Sequence, residues 1–156
     1  MTTTALRLVW WTVFIAGAIL LQKQIPGVDL LAPGFLLSLQ ERRPWQTLWL
    51  FLLFSMIQEG TGTMHFGSSL LWYGGQAVFF WAGQRFFVAE NVFFVLLLAL
   101  FLGAYHAVIT VFMCAMQEIP VEYTALLHES IIQTLIIPLI WGLAYYYRPG
   151  SKFKAY

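Results

Sequence analysis

Charge and cysteine are what this sequence has least of. Only 10% of its 156 residues are charged, against roughly 25% in soluble domains, so water is not the chain's main solvent. A single cysteine, Cys114, excludes an intramolecular disulfide and leaves the redox compartment unread; inside its apolar run it reads as a small buried hydrophobe. The net charge of +1 comes with no run of basic residues, which excludes a continuous positive surface for nucleic acid. No His-Glu-x-x-His, Glu-x-x-His or Cys-x-x-Cys spacing occurs, and the three histidines fall on three different segments, so no metal and no cofactor is expected. A Walker loop and a dinucleotide fingerprint are also missing. Thr61-Gly62-Thr63 offers no nucleophile beside a base, and catalysis is not expected of any residue.

What the sequence does have is apolar length. Hydrophobic residues make up 60% of it, the mean hydropathy is +0.76, and they recur in blocks separated by short polar breaks. The expectation is an all-α polytopic membrane protein, a single transmembrane domain over residues 1–156. Six transmembrane helices are predicted, roughly at 6–22, 28–40, 44–57, 66–83, 92–116 and 124–147, with short second and third spans. A spanning helix needs about 20 largely apolar residues; the first, fifth and sixth segments meet this and the fourth nearly does. The first follows Arg7 like a secretory signal, but no cleavage site leads into a soluble domain, so a retained helix is expected. The second and third runs are split by Gln40-Glu41-Arg42-Arg43-Pro44. A re-entrant hairpin would hold those charges near the midplane at about 2.5 kcal/mol or more each. Two thin spans cost less, and Pro44 suits the first turn of the third.

Six spans put both termini and the loops at 40–44 and 84–91 on one side. Arg7, Arg42, Arg43, Arg85, Arg148, Lys152 and Lys154 fall there and only Lys23 falls opposite, so the positive-inside rule places both ends in the cytoplasm. Trp10, Trp11, Trp45, Trp49 and Tyr145 to Tyr147 cluster near the span ends as interfacial aromatics.

The outer loops are acidic: Asp29, then Glu59, then Glu118 and Glu122. The second of them, Gln58 to Gly67, follows a short helix. Its Thr61, Gly62, Thr63 and His65 either line an outward pocket or form an ordinary surface turn. His106, His128, Glu129 and Gln133 lie in the last two spans, where ionisable groups are functional candidates by default. Glu129 and Gln133 share a face at i, i+4, with interfacial solvation the alternative for His128 and Glu129. His106 follows Gly103 and precedes Ala107, small residues that permit close helix approach, so an interhelical hydrogen bond is its expected role. Gly74 and Gly75 are expected at helix contacts for the same reason, and Pro138 is expected to kink the last helix.

From the outer loop and the last helix, the chain resembles the rod-shape-determining MreD family. That family has a short third helix ending in a stretch like D-L-L-S-G-S-P-L-G; here the stretch is Q-E-G-T-G-T-M-H-F-G, with Thr61-Gly62-Thr63 matching S-G-S. "APGFLLSL" matches the second helix and "ESIIQTLIIPLIWGLAYYYR" the closing one. The family's usual Asp aligns with Gln58, so its role is either taken by Glu59 or missing. The resemblance implies a non-enzymatic bacterial inner-membrane scaffold of cell wall (peptidoglycan) elongation that helps maintain cell shape. It would bind an MreC-like single-span protein and, indirectly, the MreB filament and the wall synthases, among membrane lipids. The alternative is a substrate-binding subunit of an energy-coupling-factor vitamin transporter, with an outward pocket between Glu59, His65, His106 and Glu129; the paired Ala-x-x-x-Ala of that family is not evident in the first helix.

Overall fold

The structure is a computed structural model that describes residues 3–61 and 67–148. Within them every regular element is helical: α1 Thr3–Gln22, α2 Ala32–Gln40, α3 Pro44–Thr61, α4 Ser68–Gly83, α5 Val92–Met116 and α6 Tyr123–Tyr147. Local chemistry sets several boundaries. Pro44 opens α3, where its absent N–H costs no bond, and the Asn91 side chain caps α5 by accepting from Phe93 N at 2.9 Å. Pro138 is contained within α6, which continues to Tyr147.

Three of the helices are long and apolar enough to cross a membrane: α1 over Ala5–Gln22, α5 and α6. Their outward faces are largely apolar. On α6, Leu127, Ile131, Leu135, Leu139 and Leu143 recur every fourth residue, each 58–65% exposed, a stripe that only an apolar solvent or partner accommodates. Leu96, Leu100 and Val108 continue it on α5, and Leu8, Val13 and Leu20 on α1. This is a membrane-associated helical protein by the character of its surface.

α2 sits at the centre. All nine of its residues are buried, and it packs against α3, α4 and α6, while α5 packs against α4 and α6. α1 is peripheral, joined to the rest chiefly through Trp10 and Phe14 against Leu37, Trp141 and Gly34. α2 is shorter than the expected second span because residues 28–31, though buried, are not helical. The Asp29 carboxylate accepts from Leu31 N at 2.8 Å, a local side-chain turn that competes with helix. α3 in turn runs on to Thr61, so Gln58 and Glu59 belong to a helix and not to the outer loop.

Candidate functional site

Irregular backbone inside an apolar bundle needs its N–H and C=O groups satisfied, and residues 28–31 meet that need through a side chain from the far end of the chain. Gln133 of α6, fully buried, accepts from Asp29 N at 2.7 Å and donates from Nε2 to Asp29 O at 3.0 Å. Its amide thus pairs with one residue's backbone as a neighbouring strand would.

The Asp29 side chain is met as completely. Trp72 Nε1 donates to Oδ2 at 2.8 Å, and Leu31 N and Gln58 Nε2 both donate to Oδ1. Gln22 Nε2 donates in turn to Gln58 Oε1 at 2.6 Å, and the Tyr73 hydroxyl lies 3.4 Å from Gln58 Nε2. Asp29 lies in the α1–α2 connection and is 2% exposed, so every partner of its carboxylate is supplied by the protein. α1, α3, α4 and α6 are therefore tied to the α1–α2 connection through one polar cluster. His106 extends it to α5: buried at 4% exposure, its Nδ1 lies 3.4 Å from Ser130 Oγ, it hydrogen-bonds the Gly27 backbone, and it stands edge-on to Trp72.

The other end of the bundle gathers charge at the surface. Arg148 reaches Glu41 at 3.6 Å and lies over the Tyr145 ring. Gln40 joins α2 to the α4–α5 connection and to α6, donating to Ala89 O at 2.6 Å and accepting from Trp141 Nε1 at 2.8 Å. Arg42, Arg43 and Gln84 line one groove here, and Arg42, Gln84 and Arg85 an adjoining depression.

Compared with protein-family models, with curated proteins and with solved structures, the chain matches none. The site's meaning rests on its chemistry.

Of the residues singled out by sequence, Gln58, His106 and Gln133 fall in the network, and Glu129 borders it at Gly27. Glu59 accepts from Gly67 N at 3.1 Å and from Ser69 Oγ at 2.6 Å, stapling the end of α3 to the start of α4. Thr61 Oγ1 bonds back to Gln58 O at 3.2 Å. Glu118, Glu122 and His128 are exposed and stand apart from the cluster. Gly62, Thr63 and His65 lie outside the described residues. Among the small residues, Gly75 packs under the Tyr105 ring and Gly103 against Thr134 and the Ser130 carbonyl, whereas a Cβ at Gly74 would meet open space. Among the described residues, no neighbouring helix reaches the position of that Cβ. No group of three or more potential metal ligands occurs among the described residues.

Sequence reasoning missed the hub. Asp29 was expected on an acidic outer surface, yet it is 2% exposed. The signal available was a set of glutamines at the edges or interiors of apolar helices, Gln22, Gln58 and Gln133, with Trp72 and its indole N–H. Each needs a partner when buried.

Proposed function

We propose that the protein is a non-enzymatic scaffold of a bacterial inner membrane, a six-span bundle with both termini in the cytoplasm that seats the transmembrane helix of a single-span partner. The observation that carries this reading is the Asp29 network. A vitamin-binding subunit needs polar groups aimed into a cavity between its outer loops. Here Asp29, Gln58, Glu59, His106 and Gln133 bind other side chains or the backbone of the bundle instead, which supports a locked bundle over a ligand chamber.

The span count follows from lengths. α3 and α4, with 18 and 16 residues, reach about 27 and 24 Å at 1.5 Å per residue. α2 adds about 13 Å of helix, and residues 28–31 extend it by at most about 13 Å, together near the roughly 30 Å of hydrocarbon. Arg42, Arg43, Arg85 and Arg148 then share the cytoplasmic face, with Lys23 opposite.

An apolar groove of about 270 Å³ between α1 and α6, lined by Val13, Phe14, Gly17, Ala18, Ile140 and Ala144, suits a docked helix. A Cβ at Gly17 would meet nothing, and such small residues let a second backbone approach closely. The rod-shape role, with an MreC-like partner, draws support from one further point. The carboxylate that the family carries at the position of Gln58 has a counterpart in space, because Asp29 accepts directly from Gln58.

A photo-crosslinking side chain at Gly17 should capture a co-expressed MreC-like protein, and the same group at Val108, exposed on α5, should not. Capture at neither position, or equally at both, contradicts the assignment.

A further inference from the structure

A second groove runs between α3 and α4 on the half of the bundle that ends in arginines. It encloses about 730 Å³, within the ~300–1,000 Å³ typical of small-molecule sites, and its chemistry changes along its length. Phe51, Gly74, Ala77 and Trp81 make an apolar channel; Arg42, Arg43 and Gln84 stand at its mouth. From Gly74 to Gln84 is ten residues of α4 and its cap, about 15 Å, which is the depth of one leaflet of a roughly 30 Å hydrocarbon core.

Three features make the groove more than an uncovered face. Gly74 leaves open space where any other residue would project a side chain. Arg42 and Arg43 are exposed and form no ion pair among the described residues, and the neighbouring Glu41 is engaged by Arg148 and Gln46. Arg42 also holds φ at +53° just past the end of α2, a conformation that glycine adopts more readily, so an arginine stands at a position where the backbone alone favours glycine.

We propose that this groove holds one anionic phospholipid of the arginine-side leaflet. Its phosphate sits on Arg42 and Arg43, where guanidinium groups pair with phosphate oxygens in bidentate fashion. An acyl chain lies along Phe51, Gly74 and Ala77. Arg85, in the adjoining depression that shares Arg42 and Gln84, meets the rest of a charged headgroup. The proposal rests on the membrane placement of α3 and α4 given above.

The test is native mass spectrometry of the full chain in mild detergent, exchanged against phosphatidylglycerol or phosphatidylcholine. The expected result is one retained phosphatidylglycerol per chain and little phosphatidylcholine. Arg42→Gly with Arg43→Gln should weaken retention roughly thirtyfold, the factor for two basic side chains near an anionic surface. Since glycine relieves the backbone at 42, that variant keeps its fold. Gly74→Leu, which fills the channel and leaves the arginines in place, should release the lipid as well. Equal retention of both lipids, or undiminished phosphatidylglycerol in either variant, overturns the proposal. So does a dimer that Gly74→Leu dissociates, since a second copy would then occupy the groove. Extraction of membranes with alkaline carbonate separates the two readings: a chain that stays in the pellet without lipid preference refutes only the lipid site, and a chain that leaves the pellet refutes the membrane placement itself.

Discussion

Asp29 accepts from Trp72, Gln58 and the Leu31 backbone, so Asp29→Ala strands the buried Trp72 and Leu31 donors at about 1–3 kcal/mol each before relaxation, while Gln58 keeps Gln22 as a partner. The variant should lose several degrees of thermal stability in detergent, and Asp29→Asn should lose less, since it keeps one acceptor oxygen while turning an NH₂ toward N–H donors. Unchanged unfolding temperatures for both would refute the hub. Gln76 is the opposite case. It is fully buried in α4 with neither amide atom partnered among the described residues. Gln76→Leu, close to it in volume, should therefore raise stability by about 1 kcal/mol or more, read by the same thermal scan. The asymmetry between these two polar residues is a statement about satisfaction, not polarity.

Among the helices, glycine position decides the sign of a substitution. A Cβ at Gly103 would collide with Thr134 and stand 3.0 Å from the Ser130 carbonyl, so Gly103→Ala should destabilise the α5–α6 pair by about 1–3 kcal/mol, with partial rescue by Thr134→Ala. Gly74→Ala meets open space and should stabilise by up to about 1 kcal/mol through helix propensity alone. Equal effects at both sites would contradict the packing described. Sequence made the three long helices legible because length and hydropathy are local properties. It also marked His106 and Gln133 as costly inside apolar runs. The half-length of α2 and the burial of Asp29 were not legible, because both depend on a side chain 104 positions away in the chain meeting a backbone that would otherwise be unsatisfied. The same physics hid the role of Gln58, which looked like the start of a loop until α3 carried it to within reach of Gln22 and Asp29.

At the scale of the whole molecule, the proposed scaffold stands on six crossings, and α2 is the shortest of the helices asked to make one. If residues 28–31 complete its passage, Lys23 and Arg43 face opposite sides of the membrane. The most direct measurement replaces Cys114 with Ser and places single cysteines at Lys23, Arg43, Arg85 and Glu118, then labels intact spheroplasts with a membrane-impermeant maleimide. The six-span bundle predicts labelling at Lys23→Cys and Glu118→Cys without permeabilisation, and at Arg43→Cys and Arg85→Cys only after it. Labelling of Lys23→Cys and Arg43→Cys from the same side would show that α2 turns back inside the bilayer, and would contradict the topology from which the scaffold reading is built.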